Sequence, residues 1–300
     1  MFKKLPIVFI LTAATLWGTM GVFVRFLSSA GFTDAEKLLT RCVVSFVAMF
    51  VYMLFAKREA FQIRLRDIWV FIGTGVISLA LFSLFYFYTL SNINVSIAAI
   101  LLYTSPAFVI CLSALFFKEK ITLRKILALA LTIVGCAFVS GIAGAAKIAP
   151  RFLVTGLMSG FCYALYSIFG TVALRRYASL TVTFYTFLFA LVGVLPLIDF
   201  SHMGAALTSQ SYMPLFMIFF GLVTGLLPYA FYTAGLARVE AGKAAVCAAL
   251  EPVMAAVFAF LILHEAMSFS TFLGIVFVIG GIAVVSLQPK KVDCSVVKDA

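Results

Sequence analysis

Few residues in this sequence could do chemistry. Glu251 is the single carboxylate in the apolar run CAALEPVMAAVFAF, Cys247 to Phe260, and Pro252 follows it directly. A carboxylate in such surroundings binds a cation, exchanges a proton or anchors an arginine, and the proline takes a backbone hydrogen bond from any helix that contains it. Arg41 is a further charge inside an apolar run, Leu38–Ala56. It either snorkels to a membrane interface or forms an ion pair, with Glu251 as one partner. Other catalytic signals are missing: HEAMS lacks the second histidine of a zinc protease, GLMSG is not a serine-hydrolase elbow, and no glycine-rich nucleotide loop occurs. Cys42, Cys111, Cys136, Cys162, Cys247 and Cys294 have no paired spacing and read as small apolar fillers. The expectation is no enzyme, no cofactor and no metal. His202 and His264 read as solvated loop residues. Glu119 and Glu265 read as interfacial turn residues, with Thr122 and Ser268 as N-caps behind them.

The elements that carry these residues follow from composition. Of 300 residues, 64% are hydrophobic and 11% charged, against about a quarter charged in a soluble domain. Such a chain belongs in a bilayer. Runs long enough to cross about 30 Å of hydrocarbon fall at Leu5–Leu27, Leu38–Ala56, Ile68–Leu90, Val95–Phe117, Leu123–Gly141, Phe152–Leu174, Leu180–Phe200, Tyr212–Leu236, Gly242–Leu263 and Phe269–Leu287. The first run is too long for the core of a cleaved signal peptide. The net charge of +11 is spread in clusters between these runs, which speaks for topology signals and against nucleic acid. Placing both termini in the cytoplasm puts most Lys and Arg inside and leaves Arg25, Lys37, Lys147 and Arg151 outside. The expected location is the inner or plasma membrane, multi-pass.

An internal repeat organises the runs. A shift of 146 residues (106 to 252) brings Pro106 onto Pro252 and FYFYTLSNINVSIAAILLYTSP onto FYTAGLARVEAGKAAVCAALEP without a gap. Tyr86 meets Tyr232, Glu119 meets Glu265, Gly135 meets Gly281, Trp17 meets Tyr163, and Ser105 meets Glu251. Each copy holds five runs, and an odd number inverts the second copy in the membrane. The expected fold is therefore an all-α integral membrane protein of ten transmembrane helices in two inverted five-helix repeats, residues 1–143 and 144–288, with a cytoplasmic tail at 289–300. Two copies that exchange open and closed arrangements give alternating access. Glycine and alanine pairs, Gly73/Gly75, Gly280/Gly281, Ala98/Ala99 and Ala244/Ala245, allow close helix contact.

Trp17-Gly18, Arg41, the FYFYTLSNINVSIAAILLYTSP block, the EP pair and the terminal GCAFVSG and GGIAVVS resemble the EamA-type branch of the drug/metabolite transporter superfamily over nearly all of residues 5–288. The resemblance implies a 5+5 carrier with a cavity lined by the first, third and fourth spans of each repeat, commonly exporting amino acids or related metabolites. Glu251 then faces the cavity or serves as a packing anchor. Trp17, Tyr86, Tyr103, Ser105, Tyr163 and Tyr232 are the further candidate substrate-binding residues, since a phenol inside a span needs a polar partner. Pro106 and Pro252 are candidate hinges, with a static kink as the alternative. The expected partners are a small-molecule substrate, the lipid bilayer and a coupling proton, with no nucleic acid, in a monomer or homodimer. An exporter of lipophilic cations or drugs is the second reading.

Overall fold

In a bilayer the backbone has no water to bond, so long apolar runs close their hydrogen bonds internally as helices. The computed structural model of the protein describes residues 5–90, 92–93, 95–140, 149–264 and 266–286. Lys3, Lys4, Lys147, Glu265, Cys294 and the 289–300 tail lie outside the described residues. Among the described residues, ten helical spans are long and apolar enough to cross a membrane: one, Leu5–Ser29; two, Asp34–Ala56; three, Leu65–Tyr86; four, Ala98–Phe117; five, Leu123–Ser140; six, Pro150–Leu174; seven, Ser179–Leu197; eight, Met213–Leu236; nine, Ala241–Leu263; and ten, Phe269–Ser286. One helix was not expected from the sequence: Phe200–Thr208, between spans seven and eight, started by Asp199, whose side chain accepts from the N–H groups of Ser201 and His202. His202 is therefore a helical residue and not a free loop residue.

Three irregularities recur in both halves at the same 146-residue spacing. Span four breaks between Leu102 and Ser105, and span nine between Ala248 and Glu251. Each proline stands in the first turn of the restarted helix, where its missing N–H costs nothing. Lys118 and His264, repeat mates, end the restarted helices at φ 56° and 55°, and they alone have positive φ among the described non-glycine residues. Spans three and eight each contain a π-helical stretch, Gly73–Leu81 and Leu222–Leu226. π turns leave the regular ladder and cluster at functional positions.

The fifth spans of the two repeats pack on each other with the reciprocity of a two-fold interface. A Cβ on Gly135 would lie 2.8 Å from the carbonyl oxygen of Gly274, and one on its mate Gly281 would lie 2.8 Å from that of Ala128, the mate of Gly274. Gly280 does not join this contact, since nothing lies within 4 Å of its Cβ position. Gly281→Leu is therefore expected to lower the thermal unfolding temperature in detergent, corresponding to about 1–3 kcal/mol of overpacking, while Gly280→Leu leaves it unchanged. Equal melting of the two variants would contradict the packing described.

Candidate functional site

The helix breaks place the site. Span nine restarts at Glu251, so the carboxylate stands on the first turn of a helix near the middle of that span, beside N–H groups whose dipole favours negative charge. The corresponding break in span four leaves Tyr103 between two half-helices. Gly160 of span six fits against the carbonyls of Leu101 and Leu102, with its Cβ position 2.9 and 3.1 Å from them. On span one, Gly18 approaches the Met254 backbone and side chain of span nine in the same manner.

Between these elements lies a cavity of about 540 Å³. Its deep end is bounded by Trp17, Tyr103, Tyr163, Tyr229 and Glu251, its wall by Phe82, Tyr86 and Phe220, and its mouth by Arg25, Asp34, Lys37 and Leu263. It thus opens toward the connection between spans one and two. Lys37 is held at the mouth by Asp34 at 2.9 Å and Ser28 at 2.6 Å. Glu36, 1% exposed, closes a capping box with Thr33 and accepts from the ring of His202 at 2.7 Å. That contact holds the His202 imidazole above its ordinary pKa and ties the short Phe200–Thr208 helix to span two.

The polar contacts of Glu251 are sparse. The Tyr163 hydroxyl donates to Oε2 at 3.4 Å, which is long for such a bond. No ion pair within 4 Å joins Glu251 to Arg41 among the described residues. Arg41 does not snorkel, which corrects the expectation from its place near a span end. It is 6% exposed, lines the cavity, and donates Nη2 to the carbonyl of Thr224 in the π stretch of span eight at 2.9 Å.

Below the cavity an aromatic floor seals the path. Trp17 meets Tyr229 at 5.2 Å and Tyr232 at 5.5 Å between ring centroids, and Tyr166 meets Tyr229 edge-on at 5.2 Å. Tyr166 and Thr233, and Ser167 and Tyr232, pair through their hydroxyls at 2.7 and 2.8 Å. A void of about 10 Å³ remains among these residues. Tyr232 therefore lies in the floor, whereas its repeat mate Tyr86 lines the open cavity. Ser105 is 4% exposed and lies outside the cavity wall, as does Pro106, while Pro252 borders it.

Beyond the floor the opposite face is closed by charges that link the repeats. Lys125, 2% exposed, reaches Glu119 at 2.9 Å and Glu240 at 2.8 Å, and Glu119 also accepts from the Ala241 N–H that starts span nine. Glu119 is thus more than a turn residue. A second link joins Asp67 to Arg176 at 2.7 Å and to the Tyr177 hydroxyl at 2.6 Å. Here the restarted half of span four lies against the first half of span nine, with Ile110 and Ser113 next to Gly242. The repeat mates of Ile110 and Ser113 are Ala256 and Ala259, which line the open cavity. The same seam is shut on one face and parted on the other.

Sequence reasoning did not single out Phe82, Phe220, Asp34 or the Lys125 cluster. The carboxylate–lysine cluster joins residues 119, 125 and 240, whose closeness no local pattern in the sequence signals. The EamA-like transporter family model matches residues 4–141 and 151–287, once in each half. An uncharacterized transporter of Archaeoglobus fulgidus is 24% identical over 280 residues, covering 92% of this chain and 94% of that one. The uncharacterized transporter YdfC of Bacillus subtilis is 21% identical over 266 residues, covering 88% and 85%. One protein crystal structure superposes with a TM-score of 0.74 at 19% identity over 94% of this chain and 96% of the other, a likeness of fold. With family matches in both halves and ten apolar spans, the chain belongs to the EamA-like transporter family and is a multi-pass membrane transporter.

Proposed function

We propose that the protein is a secondary-active carrier that works by alternating access and exports an amino acid or a related small metabolite, whose amine is received by Glu251. The observation that carries this reading is the position of Glu251: an under-bonded carboxylate at the deep end of a cavity open to one face and sealed toward the other. A carboxylate in hydrocarbon costs several kcal/mol unless it is solvated, paired or protonated. A cavity that supplies water, a cationic substrate or a proton in turn meets that cost. This sequence of partners also makes Glu251 the site of a coupling proton. The positive-inside distribution supports an orientation with both termini in the cytoplasm, in which the mouth at Arg25 and Lys37 faces outward and the Lys125 cluster closes the inner gate. Pro106 and Pro252 act as hinges at the breaks of spans four and nine.

The aromatic wall of Trp17, Phe82, Tyr86, Tyr103, Tyr163, Phe220 and Tyr229 also suits a lipophilic cation, through charge pairing and cation–π contact. Proteoliposomes loaded with unlabelled amino acids separate the readings. Labelled amino acids and tetraphenylphosphonium are offered outside, with and without a proton gradient. Counterflow of at least one amino acid, altered by the gradient, is the expected result. Accumulation of tetraphenylphosphonium alone would replace the first reading by the second.

A further inference from the structure

We propose that Arg41 receives the anionic end of the substrate, so that the cavity recognises a zwitterion by both of its ends. The inference rests on the reading of Glu251 as the amine site and adds a second binding residue to it. A guanidinium carries five N–H donors. That of Arg41 is nine-tenths buried, gives one donor to the Thr224 carbonyl, lies near the Tyr229 hydroxyl and feels the Glu251 charge at longer range, and has its Nε buried with no hydrogen-bond partner. A buried charge whose donors are only partly used is costly, and this one stands on the wall of the cavity.

Arg25, Lys37 and Arg41 face Asp34 and Glu251, and Asp34 is taken by Lys37 at 2.9 Å. Lys37 and Arg25 stand at the mouth, and the deepest of the three cations is Arg41. Its position is built, not incidental. A Cβ on Gly225 would lie 3.4 Å from the Arg41 Cβ and 2.6 Å from Ser45 Oγ, so glycine lets span eight approach. The π turn that contains Gly225 also carries the carbonyl that turns the guanidinium inward and away from the interface. A planar fork held in this way suits a carboxylate, which it can bind through two parallel hydrogen bonds. A lipophilic monocation has nothing to offer it and would meet its repulsion.

The test compares each L-amino acid with its own amide, which keeps the amine and loses the negative charge. Both series compete for counterflow in phosphatidylcholine vesicles, where no anionic headgroup can occupy Arg41. The protein is expected to prefer acids over amides by at least about tenfold, the size of one charge-assisted contact. In Arg41→Gln that preference falls to about one while amides still compete. In Glu251→Gln acids and amides weaken together, so the two sites fail in different ways. Should Arg41→Gln not fold, Arg41→Lys, which keeps the charge and loses the fork, is expected to reduce the preference at least threefold. Acids and amides bound alike by the unaltered protein would overturn the inference and leave the amine site standing. A preference that survives in the folded Arg41 variant would overturn it as well.

Discussion

Glu251→Gln is expected to abolish exchange, with counterflow lowered by at least about a hundredfold and its response to a proton gradient lost, while the protein remains folded. Glutamine matches the side chain in size, so the cavity wall and the fit of span nine against Gly18 are unchanged. What disappears is the charge. If the substrate amine is held by that charge in a site of low dielectric, the loss exceeds the ordinary value of about 1.5–3 kcal/mol for a hydrogen bond to an ion. Stability should move the other way or not at all, because the only described hydrogen bond to the carboxylate is the 3.4 Å contact from Tyr163 and an ionised group no longer has to be kept from water. Counterflow rates and melting temperature measured on the same preparation give the result. Full activity would reduce Glu251 to a packing residue, and loss of fold would make it the structural anchor of the break in span nine.

Lys125→Met is expected to loosen the opposite face. The ammonium is buried between Glu119, 12% exposed, and Glu240, 54% exposed. The pair with Glu240 is screened by solvent and is worth little. Removing the lysine leaves Glu119 as a buried charge without its counter-ion, which costs about 3–5 kcal/mol. That cost is escaped by parting the seam between spans four and nine, so the open population on this face should rise on the order of a hundredfold or more. Maleimide labelling of Ile110→Cys, in a background with the native cysteines replaced by alanine, reads the change directly, because Ile110 packs against Gly242 inside the seam. Glu119→Gln in the same chain removes the stranded charge and should restore the melting temperature. Unchanged labelling would mean that the cluster is permanent scaffold and not a gate. The bias is one-sided by sequence: the repeat mates of Lys125 and Glu240 are Thr271 and Asn94.

Much of the architecture is legible in the residues because it depends on length and repetition. The ten apolar runs correspond to the ten spans, and the register that pairs Pro106 with Pro252 also pairs the helix breaks and the left-handed Lys118 and His264. Those features are set locally, by proline and by chain reversal. Trp17, Tyr86, Tyr103, Tyr163 and Glu251 come together at the cavity, whereas Ser105 and Tyr232 do not border it. Tyr232 shows why. It occupies the same place in its repeat as Tyr86, and which of the two is uncovered depends on which way the molecule is open, a property of the conformation and not of the local sequence. The place of Arg41 is hidden in the sequence for a related reason. Its nearness to a span end favours the interface, but the carbonyl that draws it inward is 183 positions away in the chain.

The π turns of spans three and eight have a consequence for phase. Each turn of this kind accommodates about one residue more than an α-turn, and one residue is about 100° of rotation on an α-helix of 3.6 residues per turn. The residues that follow Gly73–Leu81, Phe82 and Tyr86 among them, are therefore swung around the axis relative to an unbroken helix, onto the cavity side. The tally of residues along the span thus aims its rings as much as their identity does. A chain one residue shorter in this stretch could keep every aromatic of the wall in order and turn the same face toward the lipid.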